Sequence, residues 1–490
     1  MSRSIRSGLL LLLVGVLLAA CTPLLFDASP TLPPQYGAIP GLSDVGSLPL
    51  YRLDLVLDVD ERRLLGRQEV TVPNHTGVDL SKVVFRLYPN LPQYGGRLDV
   101  GPVWIDGQRG TSELHSEDTT LAIPLSRTWA PETSVTISLT FSIELPQPTD
   151  TYALFGYSQG VWSLPDAYPL LAVHDTSLGL TGAGAGWRED IAPAHGDAVF
   201  AEAALYDVTL TLPQDLTLVT TGSVVSDTLS AAGQRVYHIV GGPLREFAWL
   251  ASADFESVET TAYGVILHSY YLPGDASAGQ AALNTAAAAL RTYADIYGPY
   301  PFAEMIVVEA PLSYYGMEYS GLNLIGKSLY REQRAELEDR VAHEIAHQWW
   351  YAQVGNDQVN TPWLDEGLAE HSTALYYQQI YGEARANTLI NQRWLVPYQV
   401  TVENGQDAVV NQPSTAFGDE YEVIVYAKAA LFFEALRQVV GDETYHAILR
   451  EYLTRYRWRI ATPEGFLQVA ESVSGRDLDA LYYHWILGKQ

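Results

Sequence analysis

The feature that most constrains this chain is a change of hydrophobic period part-way along it. From about Tyr51 to about residue 255, apolar residues recur every second position in short runs. Tyr51 to Val59 alternates for much of its length, Val135 to Phe141 alternates strictly, and Tyr206 to Leu212 repeats the pattern. Period two with turn residues between the runs predicts a largely antiparallel β region. The period then becomes helical: Leu283, Ala287, Leu290, Ala294 and Tyr297 share one face, and Gly298-Pro299 closes that helix. A short strand, Met305 to Val308, is followed by helical patterns from about Tyr330 to the end, including one expected over Arg331 to Gln353. With 490 residues the chain is too long for one ordinary core. The expectation is a multidomain α+β protein: an N-terminal antiparallel β-sheet domain over residues 49–255 and a mainly helical domain over 256–490.

Residues 1–20 have the composition of a signal peptide. Arg3 and Arg6 precede an apolar run from Leu9 to Leu18, too short to span a bilayer. Leu18-Ala19-Ala20-Cys21 resembles a bacterial lipobox, which implies lipidation of Cys21 and a lipid-anchored protein of the bacterial cell envelope, extracytoplasmic. Cys21 is the single cysteine, which excludes an internal disulfide. Residues 21–48, rich in Pro, Gly and Ser, read as a tether. A formal net charge of −28 makes nucleic acid a poor partner.

The chemistry concentrates in His343-Glu344-Ile345-Ala346-His347. Histidines four apart on a helix share a face and can hold one metal ion, and the intervening Glu344 is placed to activate the attacking water. Trp363-Leu364-Asp365-Glu366-Gly367-Leu368-Ala369-Glu370 supplies two more carboxylates four apart. A catalytic zinc takes three protein ligands and keeps one position open. The expected set is one Zn2+ on His343, His347 and Glu366. Glu370 is expected behind His343 and Asp365 near His347, because a ligating imidazole usually finds an acceptor for its other nitrogen. The remaining histidines, His195 among them, lack ligand spacing and read as structural.

The whole pattern, His-Glu-x-x-His followed by a glutamate inside Trp-Leu-Asp-Glu-Gly, resembles the gluzincin aminopeptidases, the family of membrane alanyl aminopeptidase and leukotriene epoxide hydrolase. Tyr315-Gly316-Met317-Glu318-Tyr319 resembles that family's Gly-x-Met-Glu-Asn loop, and Tyr426-Ala427-Lys428-Ala429-Ala430 resembles its Tyr-x-Lys-Gly-Ala segment. The resemblance implies a thermolysin-like catalytic domain. Gly316 and Met317 would line the substrate cleft, Glu318 would hold the free amine of a peptide, and Tyr426 would donate to the oxyanion. It also implies a short member, because the chain ends soon after Trp485 with no large C-terminal helical solenoid. Two departures bear on specificity. Tyr315 and Tyr319 bring bulky rings where the family has Gly and Asn, and no acid stands at the expected second amine anchor, for which Gln159 is the weak candidate. Two rival readings stay open at this point: a zinc hydrolase of other specificity (endopeptidase or epoxide hydrolase), and a non-enzymatic envelope protein that binds peptides.

Overall fold

Leu50–Asp58 and Arg63–Pro73 form an antiparallel pair in which every second residue is buried, with Tyr51, Leu53, Leu55 and Leu57 facing inward. This alternation is the period-two pattern turned into structure: successive side chains leave a strand on opposite faces. The computed structural model describes residues 48–147, 154–175 and 186–488. The leader, Cys21 and the tether up to residue 47 lie outside the described residues. Among the described residues no helix is long and apolar enough to cross a membrane.

The first pair belongs to an eight-stranded sheet that packs with two four-stranded sheets around one apolar core. The sheet departs from the antiparallel expectation at one place, where Leu50–Asp58 runs parallel to Ala204–Pro213, Leu50 opposite Leu205. Parallel neighbours need a long connection, and the other β strands between them provide it. The last strand of this region is Trp249–Ser252, and the next sheet begins at Glu256.

That next sheet has five strands, ordered in space Glu256–Ala262, Val265–Tyr271, Glu304–Ala310, Leu322–Gly326 and Gly316–Tyr319. Only Met305 to Val308 stood out in the sequence, as one isolated strand. Strand Glu304–Ala310 joins the two halves of the molecule. Ile306 and Val308 enter the core shared with the β region, while Met305 and Val307 enter the core of the helical region. Burial on both faces explains its unbroken apolar run. The helix Ala276–Tyr297 lies against this sheet through Ala282, Leu283, Ala286, Leu290 and Tyr293, and its last turn is closed by the Gly298 N–H donating to the Ala294 carbonyl.

The motif helix is shorter than its sequence pattern suggests, Leu337–Ala346 rather than 331–353. The chain beyond it is drawn out of helical pairing. Val354-Gly355 pairs with Arg459-Ile460, and the buried Arg245 guanidinium takes the carbonyls of Tyr351 and Gln353 at 3.1 and 3.3 Å. A second helix, Trp363–Tyr381, is buried over its first fifteen residues and packs against the motif helix.

Candidate active site

His343 lies in the last turn of the motif helix and His347 caps it. Their rings are 4.8 Å apart, with the two Nε2 atoms facing each other at 3.1 Å. Glu366, in the first turn of the second helix, brings Oε2 to 3.2 Å from the His343 Nε2 and 3.3 Å from the His347 Nε2. Three buried donor atoms therefore form a triangle with edges of 3.1 to 3.3 Å. Tetrahedral bonds of about 2.0–2.1 Å give edges of about 3.3–3.4 Å between ligand atoms, so the triangle fits one face of a tetrahedral zinc site. Two neutral imidazole nitrogens facing each other also need a cation or a shared proton between them.

The groups behind the triangle hold its orientation. Glu370 Oε2 lies 3.2 Å from the His343 Nδ1, and Glu370 Oε1 accepts from the Trp394 indole at 2.7 Å. The acceptor for His347 is not Asp365. Its Nδ1 meets the Trp350 carbonyl at 3.0 Å, because the chain turns back over the helix end there. Asp365 instead accepts from Asn356 and Gln358, both at 2.9 Å, and its carboxylate comes within 4.8 Å of the His347 ring nitrogen.

Glu344 is buried, and burial together with the Glu318 carboxylate pushes it up to about 8 against the pull of both imidazoles. Gly316 gives it room: a Cβ at that glycine would stand 2.2 Å from Glu344 Oε1. Gly316 and Glu318 are two apart on the edge strand Gly316–Tyr319 and share its face toward the motif helix. The Glu318 Oε1 accepts from Gln358 at 3.0 Å. Met317 and Tyr315 line the cavity beside it. Tyr319 turns away: it is buried in the core shared with the β region, so its ring does not crowd the cleft. The Tyr426 hydroxyl, on a π-helical turn Val423–Lys428, donates to Glu366 Oε1 at 2.7 Å.

These groups open onto a cavity of about 850 Å³. The β region contributes Ala194, His195 and Gly196 to its lining. Next to them sits a residue the sequence did not single out. Asp197 is buried, and its Oδ2 lies 3.3 Å from the Gln358 amide that also serves Glu318 and Asp365. One amide nitrogen, with two hydrogens, faces three carboxylates. Burial and the Glu318, Glu366 and Asp365 carboxylates hold Asp197 well above the usual carboxylate range. Gln159, the earlier candidate from this region, is exposed and binds Lys327 at 2.7 Å, away from the cavity. His195 does line the cavity, with its Nε2 3.0 Å from the Ser414 carbonyl.

Residues 281–485 match the Peptidase family M1 domain. That match takes in the motif helix and the helices that follow it. Among curated relatives, the alanine/arginine aminopeptidase of Saccharomyces cerevisiae is 26% identical over 48% of this chain and 29% of its own. Aminopeptidase M1-C of Oryza sativa subsp. japonica is 25% identical over 58% of this chain and 34% of its own. The chain thus spans about a third of the length of these M1 relatives. The fold itself is matched more fully. An M1 zinc metallopeptidase from Deinococcus radiodurans, in a mutant form bound to the substrate Tyr-Ser-Ala, superposes with a TM-score of 0.66 at 18% identity over 91% of this chain and 94% of that one. A two-domain M1 zinc metallopeptidase mutant bound to L-arginine reaches 0.68 at 19% identity, over 91% and 94%.

Proposed function

We propose that this protein is a zinc aminopeptidase of the M1 family that removes N-terminal residues from peptides. The observation that carries the reading is the order of groups along one short edge strand: a buried acid at Glu318, then Gly316 against Glu344, beside the triangle of His343, His347 and Glu366. Zinc held by those three residues supplies a Lewis acid that acidifies water and polarises the scissile carbonyl. Glu344 takes the proton of the attacking water and returns it to the leaving amine. Its raised pKa suits a group that both accepts and donates near neutral pH. The Tyr426 hydroxyl, which donates to Glu366, would turn its proton to the developing oxyanion. Glu318 and Asp197 receive the free ammonium, and their burial makes that charge-assisted contact strong. The alanine/arginine and M1-C aminopeptidases named above support the same activity for this chain, as does the peptide carried by the Deinococcus radiodurans structure.

The buried Glu318 carboxylate, which lines the cavity and suits a free amine, favours removal of one residue at a time over internal cleavage. A panel of aminoacyl fluorogenic amides, each with a free and an N-acetylated amine, tests this before and after zinc chelation. Zinc-dependent release from the free-amine set alone is expected. Equal release from both sets would replace the aminopeptidase with an endopeptidase, and release that survives chelation would remove the metal mechanism.

The same reading includes an anchor. Lipidation of Cys21 behind the signal peptide would tether the enzyme to the envelope through the Pro-rich segment, with peptides arriving from outside the cytoplasm. Mass spectrometry of the mature N-terminus tests it: a diacylglyceryl cysteine supports the anchor, and an unmodified Cys21 or a cut elsewhere overturns it.

A further inference from the structure

The edge strand and the motif helix run side by side in the same direction, and three contacts fix their alignment. Glu318 lies by His347, with ligand atoms within 4.8 Å. Gly316 lies against Glu344. Tyr315 lies under Arg340, whose guanidinium carbon is 4.2 Å from the centre of the ring. A peptide whose amine is held at Glu318 and whose scissile carbonyl faces Glu344 therefore continues past Tyr315 toward Arg340.

Arg340 is four residues before Glu344, one turn back on the same helix face. A helical turn rises about 5.4 Å and an extended peptide about 3.3 Å per residue, so Arg340 stands roughly one and a half residues beyond the scissile bond. It lines the cavity, its side chain is 15% exposed, and its Nε is buried without a hydrogen-bond partner among the described residues. The nearest carboxylate oxygen in an ion pair with it, on Asp339, is 3.9 Å away, and Asp339 is engaged at 2.5 Å by Arg393. A guanidinium braced flat on an aromatic ring keeps its in-plane donors free for a carboxylate.

From this the geometry points to Arg340 as a binding site for a carboxylate on the leaving side of the scissile bond. In a dipeptide or tripeptide that group is the C-terminal α-carboxylate; in a longer chain it is an acidic side chain at the first or second position past the cut. The inference rests on the aminopeptidase reading and extends it to substrate class, favouring short peptides with free C-termini.

Zinc-loaded Glu344→Gln protein permits binding to be measured without turnover. Calorimetry is run with Ala-Ala-Ala, with Ala-Ala-Ala-amide and with Ala-Glu-Ala-amide. A charge-assisted contact predicts that at least one carboxylate-bearing peptide binds about 10-fold or more tighter than Ala-Ala-Ala-amide. The free acid doing so identifies the α-carboxylate as the ligand, and the glutamyl amide doing so identifies an acidic side chain. Adding Arg340→Gln should abolish the difference while leaving the affinity of Ala-Ala-Ala-amide within about 3-fold. Equal affinity of all three peptides for the arginine-bearing protein overturns the proposal without recourse to the second variant. So does an Arg340→Gln loss that is the same for all three, which would mark a structural role. Turnover of an aminoacyl arylamide, which has no carboxylate, is read separately on the unsubstituted enzyme, so failure of the peptidase reading is told apart from failure of this one.

Discussion

Gly316 packs so closely on Glu344 that a methyl group at the glycine would come 2.2 Å from Oε1 and 2.4 Å from the carboxyl carbon. The strand proposed to bind substrate and the carboxylate proposed to move the proton are thus positioned by one contact. Gly316→Ala must push Glu344 aside or lift the strand. A displacement of about 1 Å at a reacting group can cost about 10²-fold in rate. We expect kcat/KM to fall by about that factor with zinc content unchanged, measured by arylamide turnover beside metal analysis. Full activity in Gly316→Ala would show that Glu344 is not confined by this contact.

Glu370 touches no substrate in this scheme, yet it faces the Nδ1 of His343 from 3.2 Å and is itself held by Trp394. A carboxylate in that place fixes the tautomer and raises the basicity of the ligating nitrogen. Glu370→Ala is expected to weaken zinc binding by about 10- to 100-fold. Competition with a chromogenic chelator measures the loss. Restored activity at high zinc would separate this effect from damage to the chemistry.

Asp197 gives a different test, because its neighbours are the amine end of the cavity rather than the metal. Asp197→Asn removes the carboxyl's ability to ionise against an ammonium and keeps the shape. KM for free-amine substrates should rise by about 10-fold, roughly the worth of one charge-assisted hydrogen bond, with kcat less affected. Any residual turnover of N-acetylated substrates should not change. An equal loss on both substrate types would assign Asp197 to structure alone.

The parts of this site that were legible in the sequence are those encoded by local spacing. His343, Glu344 and His347 share one helix, and Glu366 and Glu370 share another, so a period of 3.6 residues was enough to group them. Asp197 meets Gln358 across 161 residues, and nothing near either residue in sequence announces the meeting. Arg340 was invisible for a related reason. Its meaning comes from Tyr315, just before a strand that reached the motif helix only through the sheet. That sheet was itself under-read because Ile306 and Val308 are buried on one face and Met305 and Val307 on the other, which erases the alternation that marks a half-exposed strand. The helix expected over 331–353 ran too long because helical spacing continues past Ala346, while Arg245, from the other half of the molecule, binds the Tyr351 and Gln353 carbonyls and holds the chain there on another course.

Stability should also depend on pH through a carboxyl far from the metal. Glu309, next to last in the strand Glu304–Ala310, is fully buried; Oε2 accepts from the Leu272 N–H at 2.7 Å, and Oε1 has no hydrogen-bond partner among the described residues. Burial and the Asp275 carboxylate raise it to about 7 from an ordinary 4.5, despite the Leu272 bond and the charges of Arg331 and Lys327. The fold therefore binds this proton more tightly than the unfolded chain does. Its stabilising contribution is fully present below about pH 4.5, declines as pH rises through the interval to about 7, and is gone above it. Glu309→Gln keeps the size and removes the titration. At pH 8 the variant should be more stable than the parent by about 2 kcal/mol, and near pH 4.5 the two should be nearly equal. Urea unfolding at both pH values measures the difference. A variant less stable than the parent at pH 8 would mean that Glu309 is ionised and satisfied in the fold, with the Arg331 and Lys327 charges outweighing its burial.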